Sequence, residues 1–135
     1  MEREIVLIKT IELKHIEGFG KKRVKWLKDK IVKEGLWTVP LKIEKNLNLV
    51  MDGQHRMEVA KELKLNAVPC LVYCYEEVKV WSLRKNYIVN ADSIIKRVLG
   101  DNIYPYKTAK HAFPDSSNKR CRFTLEELKG IKVHK

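Results

Sequence analysis

Residues 49–60 read Leu-Val-Met-Asp-Gly-Gln-His-Arg-Met-Glu-Val-Ala, a short apolar run followed by an acid, a glycine and two basic or titratable side chains. The run at 49–51 is typical of a buried strand, and apolar residues recur at helical spacing after it. Gly53 lies between the two patterns, where its backbone freedom permits a tight turn. The sequence therefore predicts a strand, a turn and a helix.

The predicted turn is suited to phosphate. A helix that begins near Gln54 directs free backbone N–H groups and the positive end of its dipole toward the turn. Asp52, His55 and Arg56 crowd the same point. The alternative is that Asp52 only caps the helix and that Arg56 is a solvated residue of its first turn. The density of polar groups favours a functional site.

Composition limits the class of protein. The chain has 135 residues and a formal net charge of +11, which is typical of one domain with anionic substrates or polyanionic partners. Charge alone does not separate nucleic acid from nucleotide. The cysteines are odd in number and lack metal-ligand spacing, and the N-terminus has no apolar signal core. No apolar run is long enough to span a bilayer. We therefore expect a cytoplasmic protein without a membrane role.

The remaining pattern predicts a mixed α+β fold. Strands are predicted at 4–10, 38–44, 49–51, 67–75 and 78–83. Helices are predicted at 21–34, from about 54 to 65, at 92–99 with Asp92 as cap, and after Thr124, with Glu127 completing a capping box. We expect core positions for Cys70 and Cys74, and also for Trp37 and Trp81, although these two rings could instead stack on adenine. We expect loops at 11–20 and 105–111, a mobile stretch at 115–122, and fraying at 131–135.

Two further stretches are rich in cations. Residues 105–111 read Pro-Tyr-Lys-Thr-Ala-Lys-His, a loop with several anion-binding groups. The helix at 21–34 carries a basic face that could bind nucleic acid, but a charged outer face is also what an ordinary surface helix shows. The segment at 105–111 could likewise arise without function on a basic protein.

Together these residues resemble the ParB/sulfiredoxin-like superfamily, whose members carry a Gly-x-His-Arg or related turn leading into a helix. The resemblance covers about residues 4–76. Sulfiredoxins place a reactive cysteine immediately before the His-Arg pair, where this chain has Gln54, so that branch is excluded. Chromosome-partitioning ParB proteins typically show a Glu-Arg-Arg version and continue into a helix-turn-helix domain, for which the sequence after Leu99 lacks the pattern.

The free L-serine kinases of this fold resemble the chain at three separated places. These are Asp52 to Arg56, an early loop acid that falls on Glu17, and a late Pro-x-Lys-Thr-x-Arg-His type of segment that falls on Pro105 to His111. Lys110 stands where members often have arginine, and it keeps the charge without the bidentate fork. The chain is also much shorter than these kinases, so the position of the adenine pocket stays open.

The resemblance implies phosphoryl transfer from ADP or ATP to the hydroxyl of L-serine, giving O-phospho-L-serine. Glu17 would be the general base, although Glu12 lies nearby and spacing alone does not choose between them. The alternative is that Glu17 is only a solvent-exposed loop acid. Asp52 would orient the hydroxyl or hold Mg²⁺. The nucleotide phosphates would lie on Gly53, Gln54, His55 and Arg56. The serine carboxylate or the product phosphate would lie on Lys107, Thr108, Lys110 and His111.

On this hypothesis residues 1–103 form the catalytic domain, and residues 104–135 form a substrate-binding segment packed on it. The hypothesis requires Glu17 and the segment at 107–111 to converge on Asp52. Two alternatives stay open: a ParB-like nucleic-acid-binding module or nuclease, and a regulator that binds nucleotide without turnover. Donor, acceptor alcohol and oligomeric state are not fixed by the sequence.

Overall fold

A computed structural model describes residues 3–115 and 119–130 of the chain. Its strands are β1 (Val6–Lys9), β2 (Leu36–Trp37), β3 (Leu41–Glu44), β4 (Val50–Asp52), β5 (Ala67–Tyr73), β6 (Lys79–Ser82), β7 (Ala109–Ala112) and β8 (Phe123–Thr124). Its helices are α1 (Lys21–Glu34), α2 (Gln54–Glu62), α3 (Ala91–Leu99) and α4 (Leu125–Gly130), with short 3₁₀ helices at Thr10–Glu12 and Tyr75–Glu77. The predicted mixed α+β fold is confirmed.

A four-stranded mixed sheet in the order β1-β5-β3-β4 forms the centre. The chain passes from β3 to β4 as a hairpin, and β5 lies parallel to β3 on its other side. Lys42 pairs with Asp52 but Ile43 pairs with Val50, so one extra residue bulges from the end of β4. A bulge bends its strand and redirects side chains. Here it shapes the junction between β4 and α2.

The two faces of β5 separate two parts of the core. Val68 and Cys70 pack in the cluster that α1 and α2 cover, whereas Leu71 and Tyr73 belong to a second cluster on the other face. The period-2 pattern of the sequence predicts this division. Cys70 is fully buried, as expected.

The later part of the chain folds back on the early part. β7 pairs with β6, β8 pairs with β2, and Tyr104 forms a backbone bridge to Glu17. The expected loop at 105–111 is therefore wrong in its second half, because residues from Ala109 onward form β7 against β6. Local composition could not show a partner strand that lies so far away in sequence.

Some local predictions need correction. Asn90, not Asp92, caps α3, because its side chain accepts the Ser93 N–H at 2.8 Å. Trp81 is 44% exposed, because it lies on the two-stranded β6–β7 sheet. Cys74 is half-buried and precedes a 3₁₀ helix, which also ends β5 two residues early.

Other local predictions are confirmed, and some are not testable here. The box of Thr124 and Glu127 at the start of α4 is confirmed. The residues expected to fray, 131–135, and part of the stretch expected to be mobile, 116–118, lie outside the described residues. Among the described helices none is long and apolar enough to cross a membrane.

Candidate functional site

A cleft of about 390 Å³ opens where β4 meets α2, within the size range of small-ligand sites. We call it the central cleft. Its polar and charged lining residues are Glu17, Arg23, Lys42, Asp52, Gln54, His55, Arg56, Lys110 and His111. Two acids and four lysines or arginines thus share one small volume. The sequence hypothesis required this convergence of Glu17 and the late segment on Asp52.

The N-terminus of α2 forms one wall of the cleft. Asp52 is the last residue of β4, and Gly53 is the N-cap of α2 with no side-chain cap bond. The first N–H groups of the helix therefore have no partner within the helix and lie at the positive end of its dipole. The Gln54 side chain is buried instead, and its amide donates to the Val50 carbonyl. One of the two side-chain N–H donors of Gln54 is therefore already used within the protein.

The conformation at Gly53 allows this wall to form. Its φ is +118°, and a Cβ at this position would collide with the side chain of Leu41. We expect Gly53→Ala to destabilise the fold by about 1–3 kcal/mol through strain and by about 1–3 kcal/mol through overpacking. Urea denaturation measures the loss. Gly35→Ala is the matched control, because Gly35 also has a positive φ but has open space around it. A loss at Gly53 no larger than at Gly35 would contradict the expected collision.

His55 is held in place by the N-terminal end of α1. Its Nε2 accepts the backbone N–H of Gly20 at 3.1 Å, and its ring meets Tyr106 edge-on at 5.2 Å. Burial and then the nearby Arg23 lower the pKa of His55 below its ordinary value. The neutral ring at pH 7 therefore carries its proton on Nδ1, which can donate a hydrogen bond.

Glu17 joins the early loop to the late segment. Its Oε1 accepts the backbone N–H of Ala109 at 2.8 Å and that of Thr108 at 3.3 Å. Burial raises the pKa of Glu17 above its ordinary value, and these backbone hydrogen bonds oppose the shift. A carboxylate that lines a cleft with a raised pKa has the properties of a general base.

Two cations of the cleft were missed by the sequence analysis. Arg23 lies on α1 among six lysines, and Lys42 lies on β3 beside Asp52 in the hairpin. The signal for Arg23 was that it is the one arginine of that helix. Lys42 could have been found because it alternates with apolar Leu41 in the strand that precedes residues 49–60. Neither signal is specific without the fold.

The late segment divides into two parts. Lys110 and His111 line the cleft, but Lys107 and Thr108 do not. Lys107 is exposed with a φ of +58°. Thr108 is buried, and its hydroxyl donates to the Pro105 carbonyl at 2.6 Å. Thr108 affects the cleft only through its backbone N–H, which donates to Glu17.

His111 is kept neutral by its surroundings. Burial lowers its pKa to about 4. Its Nε2 lies 3.0 Å from the Tyr75 hydroxyl. Its Nδ1 is buried with no hydrogen-bond partner among the described residues. At pH 7 this ring can therefore orient a ligand without adding a positive charge.

A second layer supports the cleft from behind. His15 Nδ1 lies 2.6 Å from Gln54 Oε1, and His15 Nε2 lies 2.9 Å from a carboxylate oxygen of Glu58. Since the Gln54 amide nitrogen donates to Val50, its Oε1 must accept from His15. His15 therefore links the loop that carries Glu17 to α2 at two points.

No group of three or more potential metal-ligating side chains occurs among residues 3–115 and 119–130. Asp52 is exposed at the end of β4 beside the N-terminus of α2. A magnesium ion usually takes only one or two protein carboxylates when phosphate oxygens supply further ligands. The residues present are compatible with that mode and not with a metal cage built from side chains alone.

Comparisons with solved structures identify the fold. The chain superposes on a free serine kinase in complex with AMP with a TM-score of 0.83 at 14% identity over 95% of each chain. A glutamate-to-alanine mutant of free serine kinase in complex with ADP gives a TM-score of 0.82 at 13% identity, again over 95% of each chain. A conserved hypothetical protein from Pyrococcus furiosus gives 0.83 at 13% identity over 95% of this chain and 98% of that one.

SbnI from Staphylococcus aureus, solved with a C-terminal truncation, gives a TM-score of 0.80 at 12% identity over 96% of this chain and 90% of that one. No family model matches the chain, and no curated protein matches it in sequence. The chain therefore has the ParB/sulfiredoxin-like fold, in the form that free serine kinases share over nearly their whole length. Likeness at this level of identity establishes the fold and not the activity.

Proposed function

We propose that this protein is a phosphotransferase that moves a phosphoryl group from ADP or ATP to the hydroxyl of L-serine and releases O-phospho-L-serine. The observation that carries the proposal is the convergence of Glu17, Asp52 and the N-terminus of α2 on one cleft. The AMP and ADP complexes of free serine kinases with the same fold support a nucleotide ligand.

The donor phosphates are assigned to the α2 side of the cleft. Residues 54–56 at the N-terminus of α2 line this volume, and Arg23 adds a second arginine from α1. Guanidinium groups bind phosphate oxygens in a bidentate manner. Such fixed donors stabilise the charge on a transferring phosphoryl group, which is the main demand of this reaction.

Glu17 is assigned as the base. Its carboxylate takes the proton of the serine hydroxyl while the serine oxygen forms a bond to the transferred phosphorus. The bond from that phosphorus to the bridging oxygen breaks, and the nucleotide leaves with the electron pair. The two backbone N–H groups from residues 108 and 109 hold Glu17 in one orientation, and orientation is a large part of catalysis.

The acceptor is assigned to the β7 side. Lys110 offers a charge for the serine carboxylate, and the neutral ring of His111 lines the same side without adding a charge. Lys107 and Thr108, which the resemblance places in the same role, are assigned to shaping the loop that carries these groups. Asp52, together with phosphate oxygens, would hold Mg²⁺, which would neutralise phosphate charge.

The test is incubation of the purified protein with Mg²⁺, L-serine and either ADP or ATP, followed by phosphorus NMR. A new phosphomonoester signal that requires both serine and nucleotide supports the proposal and identifies the donor. If neither nucleotide gives a signal, whether the acceptor is serine, threonine or homoserine, the proposal is refuted.

The raised pKa of Glu17 gives an expected pH dependence. A base must be ionised to accept a proton, so the rate should fall as the pH drops through the pKa of this carboxyl. Because burial raises that pKa above 4.5, we expect the acid limb of kcat/KM to lie above the limb of an ordinary glutamate. A pH–rate profile of serine phosphorylation measures it. An acid limb at or below the ordinary value would contradict the assignment.

A second candidate function is nucleic-acid binding by α1. Trp26 is 54% exposed on that helix, with Arg23 at 4.8 Å and Lys30 at 5.6 Å from its ring. Exposed aromatic rings between cations can stack on bases, and phosphate contacts make such binding salt-dependent. Salt-dependent binding of an oligonucleotide that Trp26→Leu weakens, but Trp81→Leu does not, would support this function. Equal effects of the two variants would refute it.

A further inference from the structure

A second, smaller cavity lies next to the central cleft. Its volume is about 60 Å³, and Leu27 and Arg56 line both spaces. We call it the Arg120 cavity, because Arg120 lines it and does not line the central cleft. A nucleoside requires a site several times larger. The space therefore suits one small group.

The lining of this cavity is strongly cationic. Arg56, Arg120 and Lys30 line it, and Glu34 is the one acid among its lining residues. No salt bridge within 4.0 Å joins Glu34 to any of these three cations among the described residues. The lining of the cavity therefore holds three cations and one acid, with no ion pair between them among the described residues.

A buried hydrogen-bond donor lines the same cavity. Trp37 is only 1% exposed, and its indole Nε1–H has no hydrogen-bond partner among the described residues. A buried donor without a partner costs free energy. Strand β8 pairs with β2, the strand that carries Trp37. The backbone N–H of Cys121, the residue after Arg120, donates to the Thr38 carbonyl. Arg120 and the residues that follow it are thereby held against the strand that carries Trp37.

Arg56 connects the two sites. Burial lowers its pKa, and the nearby Arg120 and Arg23 lower it further, with Asp52 as the opposing charge. Arg56 and Arg120 line this cavity together, and an anion between two such guanidinium groups would offset their repulsion. An anion in the Arg120 cavity would accept from guanidinium groups and from the indole N–H.

We propose that the Arg120 cavity binds a single phosphate group, as a site separate from the phosphate-binding wall of the central cleft. The phosphate could be free inorganic phosphate or the terminal phosphate of a ligand whose remainder lies in the central cleft. The chemistry is the same in both cases. The proposal does not depend on serine phosphorylation, so its failure and the failure of the kinase assignment are separate results.

The experiment follows the three indole N–H resonances of the ¹⁵N-labelled full chain in NMR. Inorganic phosphate, ADP and AMP are titrated separately at constant ionic strength, with chloride as the balancing anion. Trp81, which does not line the cavity, serves as the internal control. We expect a saturable shift of the Trp37 resonance, since its N–H gains an acceptor. A shift of the Trp37 resonance with inorganic phosphate indicates a free-anion site. A shift with ADP, but none with inorganic phosphate, indicates a site for a terminal nucleotide phosphate.

Variants make the test specific. We expect Arg120→Gln to weaken the saturable response about tenfold or more, because it removes a charged donor. Arg122→Gln is the matched control, because Arg122 is exposed on the same segment and does not line the cavity. A Trp37 resonance that phosphate and ADP leave unmoved would overturn the proposal. Equal effects of the two arginine variants would also overturn it.

Discussion

Replacing Glu17 with glutamine is expected to lower the rate of O-phosphoserine formation by about 10²–10⁴-fold, the usual contribution of a general base. Glutamine keeps an oxygen that can accept the N–H groups of Thr108 and Ala109, so the loop geometry should survive. It cannot take up the hydroxyl proton. The loss should therefore appear in kcat, with nucleotide affinity nearly unchanged.

The measurement is the initial rate by phosphorus NMR, combined with calorimetric titration of the nucleotide. Glu12→Gln is the matched control, because Glu12 is the other early acid and lies in the 3₁₀ helix away from the lining of the cleft. An effect of Glu12→Gln as large as that of Glu17→Gln would contradict the assignment of Glu17 as the base. Full activity of Glu17→Gln would leave Glu17 with a structural role alone.

The central motif could be predicted from sequence because its information is local. The apolar run before Gly53 and the helical spacing after it define the strand and α2 without knowledge of any distant contact. The same reasoning placed α1 at its observed bounds, Lys21–Glu34, because a glycine on each side marks its ends. The resemblance added Glu17 and the late segment, which periodicity alone would not have selected.

The rest of the site depends on pairing across the chain. Arg23 and Lys42 look like ordinary surface cations until the fold brings α1 and β3 to the end of β4. Tyr106 gave no signal that it would contact His55, which lies 51 positions earlier in the chain. In the same way, only the pairing of β8 with β2 brings Arg120 near Arg56. Such contacts are set by tertiary structure, and no local pattern encodes them.

Glu17 shows why a role and a position must be predicted separately. Sequence reasoning considered a catalytic acid or an exposed loop acid. The structure shows a half-buried acceptor that also connects the loop at 14–18 to Tyr104 and β7. A side chain that holds the acceptor segment in place keeps its own carboxylate oriented by the same contacts. Positioning and proton transfer can therefore depend on one residue.

Replacing Arg56 with glutamine is expected to lower the rate by about 10²–10³-fold, the cost of removing one fixed donor from the developing charge. Arg56 is partly buried and has no carboxylate within 4.0 Å among the described residues. Its donors are therefore available to phosphate. Lysine keeps the charge and loses the fork, so Arg56→Lys should fall between the wild-type protein and Arg56→Gln.

The folding energetics of the same variants distinguish catalysis from structure. Burial disfavours the charged form of Arg56, so a neutral glutamine should leave thermal stability unchanged or raise it. An unstable Arg56→Gln protein would mean that the guanidinium holds the fold, and its low activity would then say nothing about phosphate. A stable Arg56→Gln protein with full activity would remove Arg56 from the mechanism. A stable and slow variant, with Arg122→Gln at the wild-type rate, is the result that the geometry of the cleft leads us to expect.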